Sequence, residues 1–171
     1  MKCIIYLFPL WLVVLVGCTS NINKIPDVRG SAKRVNADKR NNIRLIELRD
    51  VEDYFFVGKV DDSKVFLLNE ADFERYFQPA KTMTNRPTEV DFDMERMGAI
   101  VLPETKNNTN ILLDSAYLSG RKLNIVYSIN QESVKRSFSI VPSKVFTFEA
   151  SLDVDSVVFR NGNDIYKFSM R

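Results

Sequence analysis

The amino-acid sequence predicts a mainly β domain, an antiparallel β sandwich or partly open barrel of about nine short strands with one short helix. From residue 43 onward, short runs of β-branched and aromatic residues recur at regular spacing, with turn residues between them. Only one stretch, residues 70–77, has the apolar spacing of a helix. Residues 43–171 are long enough for one core, and 45% of the chain is hydrophobic.

The first half of this domain is predicted to contain three strands and the helix. Strands are expected at residues 43–48, 54–60 and 64–68, with a turn at residues 61–63. Asn69 then stands where a helix N-cap is expected, before a helix that begins at Glu70 and ends at Phe77. Phe73, Tyr76 and Phe77 fall on one face of this helix, and Pro79 is expected to end it.

The second half is predicted to consist of strands and turns. Residues 90–94 alternate between apolar and acidic, and residues 97–102 are nearly all apolar, as in a central strand buried on both faces. Residues 110–118 and 122–129 flank Ser119-Gly120-Arg121 and predict an antiparallel hairpin. The remaining predicted strands lie at residues 134–141, 145–148, 157–159 and 165–168. Asn161-Gly162-Asn163-Asp164 is a turn signal between the last two.

The N-terminal residues predict export and lipid anchoring. One charge, Lys2, precedes an apolar run that is shorter than the roughly 20 residues of a membrane-spanning helix. The run closes on Leu15-Val16-Gly17-Cys18, which resembles the lipobox of bacterial lipoproteins. That resemblance implies a signal peptide over residues 1–17, cleavage between Gly17 and Cys18, and a lipid on Cys18 that holds the protein to a membrane.

Residues 18–42 are predicted to be a flexible, basic tether. They show no hydrophobic period, and between Thr19 and Arg44 seven basic residues stand against two acidic ones. Its first residues, Thr19-Ser20-Asn21-Ile22-Asn23-Lys24, lack the acidic residues that often follow the cysteine in surface-exported lipoproteins of Bacteroidetes. We therefore expect the periplasmic face of the outer membrane. From Leu45 onward sixteen basic and twenty acidic residues make the domain acidic, so nucleic acid is not expected as a partner.

Composition excludes several kinds of chemistry. The chain has no histidine, and its two cysteines, Cys3 and Cys18, belong to the signal peptide and the lipid site. Histidine-dependent nucleophilic catalysis and the usual zinc and non-haem iron sites are thereby ruled out. No Gly-rich phosphate loop occurs, and the single tryptophan, Trp11, lies in the signal peptide. We expect no cofactor and no catalytic residue.

The cluster in the sequence that most suggests a functional site consists of four alternating carboxylates, Glu89, Asp91, Asp93 and Glu95. On a strand they would project from one face, where they could bind a cation or act as paired catalytic acids. The simpler interpretation, which we prefer, is a solvated strand face whose apolar side packs on the core. Separately, Asp114-Ser115-Ala116 and Asp155-Ser156-Val157 resemble the motif at which Bacteroidetes O-glycosylate exported proteins, with Ser115 and Ser156 as the acceptors.

The order of landmarks from residue 65 onward resembles one known family. An apolar strand leads into the helix with Phe73 and Phe77, then come Val90-Asp91-Phe92, the strand at 99–102 and the hairpin around Ser119-Gly120. Residues 123–127 and 137–142 complete the pattern, which covers about 100 of the 171 residues. This order resembles the C-terminal domain of the PrcB protease-complex stability lipoproteins and related small lipoproteins of Bacteroidetes. Residues 107–110 depart from it, because that family tends to show a Gly-Gly-Tyr-like turn there.

The resemblance implies a non-enzymatic β domain that binds and stabilises a protease or another envelope protein. Together with the lipobox, it leads us to expect a lipid-anchored envelope protein whose partner is another envelope or secreted protein. Two alternatives remain open at this point. One is an exported inhibitor or immunity protein, and the other is a carboxylate-dependent enzyme acting on glycans.

Overall fold

The computed structural model describes residues 43–80 and 86–170, which lie in the compact unit Lys39–Arg171. These residues form eleven strands and one helix. The helix α1 spans Glu70–Tyr76. The strands are β1 Ile43–Leu45, β2 Arg49–Val51, β3 Tyr54–Phe56, β4 Lys64–Leu68, β5 Phe77–Pro79, β6 Glu95–Val101, β7 Thr105–Ser119, β8 Lys122–Ile140, β9 Ser143–Glu149, β10 Ser156–Asn161 and β11 Asp164–Ser169.

One long hairpin, β6 to β9, builds the centre of both main sheets. β7 pairs with β8 on either side of the Gly120 turn. Farther from the turn, β6, which precedes β7, pairs with β9, which follows β8. The two arms of the hairpin bend together between these pairings. Pro103 lies at the bend between β6 and β7, and Pro142 lies at the bend between β8 and β9. Proline donates no ladder hydrogen bond, so it suits the corner where strands leave one sheet for the next.

The remaining strands join the two halves of this hairpin. The five-stranded sheet has the order β1-β7-β8-β10-β11 and the four-stranded sheet the order β2-β9-β6-β4. All pairings are antiparallel except that between β8 and β10, which is parallel. Antiparallel pairing was therefore predicted correctly for all but this one contact. The parallel pairing arises because the chain crosses from β9 to the five-stranded sheet, where β10 then runs beside β8 in the same direction.

Two hydrophobic clusters give the domain three layers. The first cluster lies between the two main sheets, and its fully buried members include Ile100, Phe146 and Phe159. The second lies on the other side of the four-stranded sheet, beneath α1 and the small β3-β5 sheet. It contains Phe73 of the helix and Met97 of β6. Because β6 contributes to both clusters, it is buried on both faces, which confirms the prediction for residues 97–102.

Helix α1 begins as predicted but ends earlier. The Asn69 side-chain oxygen accepts a hydrogen bond from the Asp72 backbone N–H at 2.8 Å, which confirms the N-cap. The helix ends at Tyr76, because Phe77 has extended backbone angles and begins β5. Pro79 lies in that strand, paired with Tyr54, so the prediction that it ends the helix was wrong.

The mainly β fold class is confirmed, and its architecture is consistent with a sandwich. The described residues form no closed barrel, because their sheets have separate edges. The prediction of about nine short strands missed β2 and β5, and it divided β8 into two strands. The predicted strand at 90–94 does not form, since these residues are irregular and turn structure up to β6. No helix of the described part of the chain is long and apolar enough to cross a membrane.

Candidate functional site

The four carboxylates do not share a strand face. Asp91 Oδ1 accepts hydrogen bonds from the backbone N–H groups of Asp93 at 3.0 Å and Met94 at 3.3 Å. The Asp91 carbonyl accepts from the Glu95 backbone N–H at 2.8 Å. The side chain of Asp91 thus closes a turn just before β6, where an alternating pattern had predicted extended chain. The prediction of one carboxylate-bearing face was wrong for this reason.

Glu95 instead joins three strands of the four-stranded sheet. It accepts hydrogen bonds from Arg49 Nε at 2.8 Å and from Thr147 Oγ1 at 2.9 Å, and Arg49 Nη2 pairs with its second oxygen. The bond from Arg49 lowers the pKa of Glu95 against the opposing effect of desolvation, and the bond from Thr147 lowers it further. Arg49 Nη2 also reaches the Glu89 carbonyl at 3.2 Å. This network fastens residues 89–95 to the sheet.

These contacts leave no cation site in this region. Within residues 43–80 and 86–170, no group of three or more Asp, Glu, His or Cys side chains is placed to hold a metal ion. The alternative of a calcium site at Glu89, Asp91, Asp93 and Glu95 therefore has no geometric support.

A groove runs along β7, where two clefts adjoin. Two clefts of about 410 and 470 Å³ meet at Ile111, Leu112 and Lys144, and we call the combined surface the β7 groove. Its walls come from the chain between β1 and β2, from the exposed ring of Phe55 and from the β8–β9 corner. Leu112, at its middle, is 49% exposed. An exposed leucine that lines two adjoining clefts is available for contact with another molecule.

The backbone of β7 beside this groove has a free edge. Among the described strands, β1 pairs with β7 only over residues 117–119, and one further bond joins Ile46 N–H to the Ala116 carbonyl. The rest of β7 pairs only with β8. Residues 109–113 keep regular register against residues 127–131, with irregularities on both sides. The domain thus presents a straight edge of about five residues, enough for a short added strand.

Charged side chains at the groove are held by neighbours. Lys144 Nζ donates to Asp50 Oδ2 at 2.6 Å across the first cleft. Arg136 lines the second cleft and donates to the Asn108 side-chain oxygen, while Asn108 Nδ2 donates to Glu132 Oε2 at 2.8 Å. These bonds fix the polar rim around an apolar middle, as in small protein-binding surfaces.

Strand β8 protrudes next to the groove. From Gln131 to Ile140 it faces β7 only from Thr109 to Thr105, so β8 carries several extra residues there and must bulge. Val134 and Phe138 lie in this bulged stretch and are 66% and 60% exposed. Large apolar side chains on a protruding, bulged strand add to the contact surface that the groove offers.

The two predicted glycosylation serines differ in access. Ser156 is 7% exposed at the start of β10, and Asp155 before it accepts hydrogen bonds from Arg121 at 2.8 and 2.9 Å. Its hydroxyl is poorly placed for a transferase acting on the folded protein. Ser115 is half-buried and follows a β7 irregularity at the wall of the groove. The predicted cleavage and lipid sites, Gly17 and Cys18, lie outside the described residues.

Two other clefts are less suited to a ligand. One of about 570 Å³ opens at the other end of β6. It is lined by two carboxylates, Glu70 and Glu95, of which Glu95 is already bonded to Arg49 and Thr147. The other, of about 430 Å³, lies beside α1 between Tyr54, Phe73 and Phe92, whose rings pack on one another. In both, the lining side chains mainly serve the protein's own packing.

Sequence reasoning did not find the β7 groove. It placed a hairpin at 110–129 and proposed Ser115 there as a glycosylation acceptor, but it did not single out Leu112, because an exposed Leu112 and a buried Ile111 look alike in the sequence. The sequence does not show that β7 extends far beyond its pairing with β1, because that depends on which strands pair and over what length. Comparison of the chain with protein-family models, with curated proteins and with solved structures finds no match. The resemblance to the PrcB lipoproteins therefore stays a prediction.

Proposed function

We propose that this chain is a lipid-anchored protein of the bacterial cell envelope that binds and stabilises another envelope or secreted protein, without catalysing a reaction. The anchor would be the lipid on Cys18, on the periplasmic face of the outer membrane. A protease is the partner class that the family resemblance favours. The observation that carries the proposal is the β7 groove, with its free strand edge and exposed leucine.

The groove supports binding of an extended segment. A free edge can accept main-chain hydrogen bonds from a partner strand, which give affinity with little dependence on sequence. Leu112 and the apolar wall beside it would then select the partner's side chains. Because residues 109–113 are straight while the strand is irregular on either side, the partner segment would be short. Such a contact holds a partner's flexible segment in one conformation, which is how binding can stabilise it.

The second support for a binding role is that the carboxylates proposed from the sequence as catalytic acids make structural bonds in the described residues. Asp91 and Glu95, the carboxylates closest to an enzyme-like arrangement, are committed to a turn and to Arg49. The sequence has no histidine, which excludes nucleophilic catalysis of the Ser-His and Cys-His types. Binding is therefore the activity that we propose for this domain.

The decisive experiment is cross-linking in the native envelope at Leu112. A photo-reactive residue at this position in the full-length lipoprotein should capture one protein, identified by mass spectrometry. Leu112→Asp should reduce co-purification of that protein at least tenfold, because it places a charge in the apolar middle of the interface. Met94→Asp is the matched control, since Met94 is exposed and lies outside the groove.

Three outcomes decide the proposal. One stoichiometric partner, lost with Leu112→Asp and kept with Met94→Asp, supports it. If that partner is an enzyme whose activity falls on binding, the inhibitor interpretation replaces stabilisation. Failure to capture any specific protein from Leu112, with the variant folded by circular dichroism, would contradict the role of the groove.

A further inference from the structure

The cleft of about 470 Å³ in the β7 groove, which we call the corner cleft, is lined by two cations and by no carboxylate. The cations are Arg136 and Lys144. Most of the other lining residues are apolar, among them Phe55, Ile111, Leu112, Val141 and Pro142. A ligand that suits this cleft therefore combines an anionic group with an apolar one.

The two cations differ in what compensates their charge. Lys144 Nζ pairs with Asp50 Oδ2 at 2.6 Å, so its charge is met within the domain. The Arg136 guanidinium forms no ion pair with any residue that the structure describes. It donates to the Asn108 side-chain oxygen, and the Asn108 amide separates it from Glu132. A guanidinium carries five N–H donors in a planar fork, so Arg136 can still donate two parallel bonds to a carboxylate.

The surroundings of Arg136 strengthen its attraction for an anion. Arg136 is half-buried, and a charge that is partly removed from water interacts more strongly with an opposite charge than an exposed one does. Phe55 and Leu112, which line the same cleft, are 47% and 49% exposed and offer apolar surface beside the guanidinium. An anionic group next to an apolar side chain would contact all three residues.

The corner cleft lies at one end of the free edge of β7. Thr109 lines it, and β7 extends from there back to Thr105, which pairs with Ile140 beside the β8–β9 corner. At the other end of the free edge lies β1, which runs antiparallel to β7. A strand added in the more stable antiparallel direction would run from the β1 end toward Thr109. Its C-terminal end would therefore reach the corner cleft.

The β8–β9 corner favours a chain end over an internal segment. Residues 140–143 line the cleft there, and a segment that continued past Thr109 would have to turn away from them. A chain that ends at this point needs no such turn. Its last residue supplies a side chain and a carboxylate next to each other, which are the two groups that the lining residues suit.

We propose that the corner cleft binds the C-terminal carboxylate of the partner protein, and that the partner's last residue is apolar. Arg136 donates to the carboxylate, and Phe55 and Leu112 contact the last side chain. The free edge of β7 pairs with the residues before it. This inference rests on the proposed function and names the part of the partner that the β7 groove binds.

The test uses the full-length lipoprotein, purified in detergent and immobilised, with pools of synthetic pentapeptides as probes. The first pool is random except for a last residue of leucine, valine or phenylalanine, and it has a free C-terminal carboxylate. The second pool is the same but ends in a carboxamide. The third pool also ends in a carboxamide and carries aspartate or glutamate before the last residue. Mass spectrometry measures the fraction of each pool that the protein retains.

We expect the first pool to be retained about tenfold more than the second, the ratio that one charge-assisted contact supplies. Arg136→Gln should remove this preference. Arg136→Lys keeps the charge but lacks the planar fork, so it should weaken the preference several-fold. Arg75→Gln is the matched control, because Arg75 is exposed on α1 and lines neither cleft of the groove. If circular dichroism shows that Arg136→Gln does not fold, Arg136→Lys decides the role of Arg136.

The other outcomes separate this inference from the proposed function. Equal retention of the first two pools, or a preference that neither Arg136 variant changes, would overturn the inference. Retention of the third pool as strong as that of the first would also overturn it, because the ligand would then be a side-chain carboxylate. If the first two pools are retained equally and Leu112→Asp releases both, the groove still binds extended segments and the proposed function stands alone. If no pool is retained, the inference fails, and cross-linking at Leu112 decides the proposed function.

Discussion

The ring of Phe146 lies over Gly98, its direct partner on the neighbouring strand. A Cβ atom built on Gly98 would lie 2.5 Å from Phe146 Cζ, closer than real contacts allow. The ring cannot easily move away, because Phe146 is fully buried and packs on Phe159 with ring centres 6.1 Å apart. Glycine at position 98 thus makes room, between the two main sheets, for the Phe146 ring of β9.

Gly98→Ala should therefore destabilise the domain. We expect the free energy of unfolding to fall by about 1–3 kcal/mol, the usual cost of overpacking a core. Chemical denaturation measures it. In a double-mutant cycle with Phe146→Leu, the smaller side chain should relieve much of the Gly98→Ala penalty, because the two positions are in contact. Simple additivity of the two changes would show that the ring does not cause the penalty.

Glu95→Gln should lower stability at neutral pH by about 1 kcal/mol, since the bonds it loses are charge-assisted but partly open to solvent. The pKa of Glu95 is lower in the folded chain than its usual value of 4.5, chiefly because of Arg49. The stabilisation is thus full above pH 4.5 and is lost as the pH falls through the folded-state pKa.

Denaturation midpoints measured down the acid range should therefore converge for Glu95→Gln and the parent protein. Asp155→Asn is a useful comparison, because Arg121 also lowers the pKa of Asp155, but on the surface. A pH-independent gap between Glu95→Gln and the parent would exclude the ion pair as the source of the effect.

Tyr127 should titrate well above the usual range of a tyrosine. Burial, with smaller contributions from Tyr166 and Asp164, raises its pKa from the usual 10.0 to about 12. Ultraviolet titration of the folded protein should show one phenol that stays protonated well above pH 10, and Tyr127→Phe should remove that component. Because the folded-state pKa is the higher one, its contribution to stability is complete below pH 10 and is lost as the pH rises toward 12.

Intact-mass spectrometry of the protein from its native envelope tests maturation. We expect a mature chain that begins at Cys18 and carries acyl mass, and Cys18→Ala should leave the uncleaved, unacylated precursor. Sugar mass, if present, should disappear with Ser115→Ala and not with Ser156→Ala, since Ser156 is buried. A parent protein cleaved at another position without acyl mass would contradict the lipobox prediction.

Local sequence signals were sufficient where a single side chain determines the backbone around it. Asn69 capped α1 as predicted, and glycine at positions 120 and 162 supplies the positive φ angles, 62° and 56°, of two hairpin turns. The uninterrupted apolar run at 97–102 predicted a strand buried on both faces because such a run has no side that water could tolerate.

Local sequence patterns predicted the wrong secondary structure where the same residues are compatible with two conformations. Residues 90–94 alternate like a strand, but Asp91 bonds the backbone N–H groups after it and closes a turn. Phe77 and Pro79 looked like the end of a helix and form a strand, because Phe56 and Tyr54 pair with them from elsewhere in the chain. A local side-chain bond thus outweighed the alternating pattern at 90–94, and pairing with a distant segment outweighed helix propensity at 77–79.

The sequence by itself determined the fold class, the helix and its cap, the hairpin turns and the central strand, and it excluded histidine-dependent chemistry. Each of these follows from residue type and spacing within a few positions. Only the tertiary structure decided that one bent hairpin builds both sheets and that β7 keeps a free edge beside Leu112. These depend on which strands pair and where a strand extends past its neighbour, and such long-range relations leave no local pattern in the sequence.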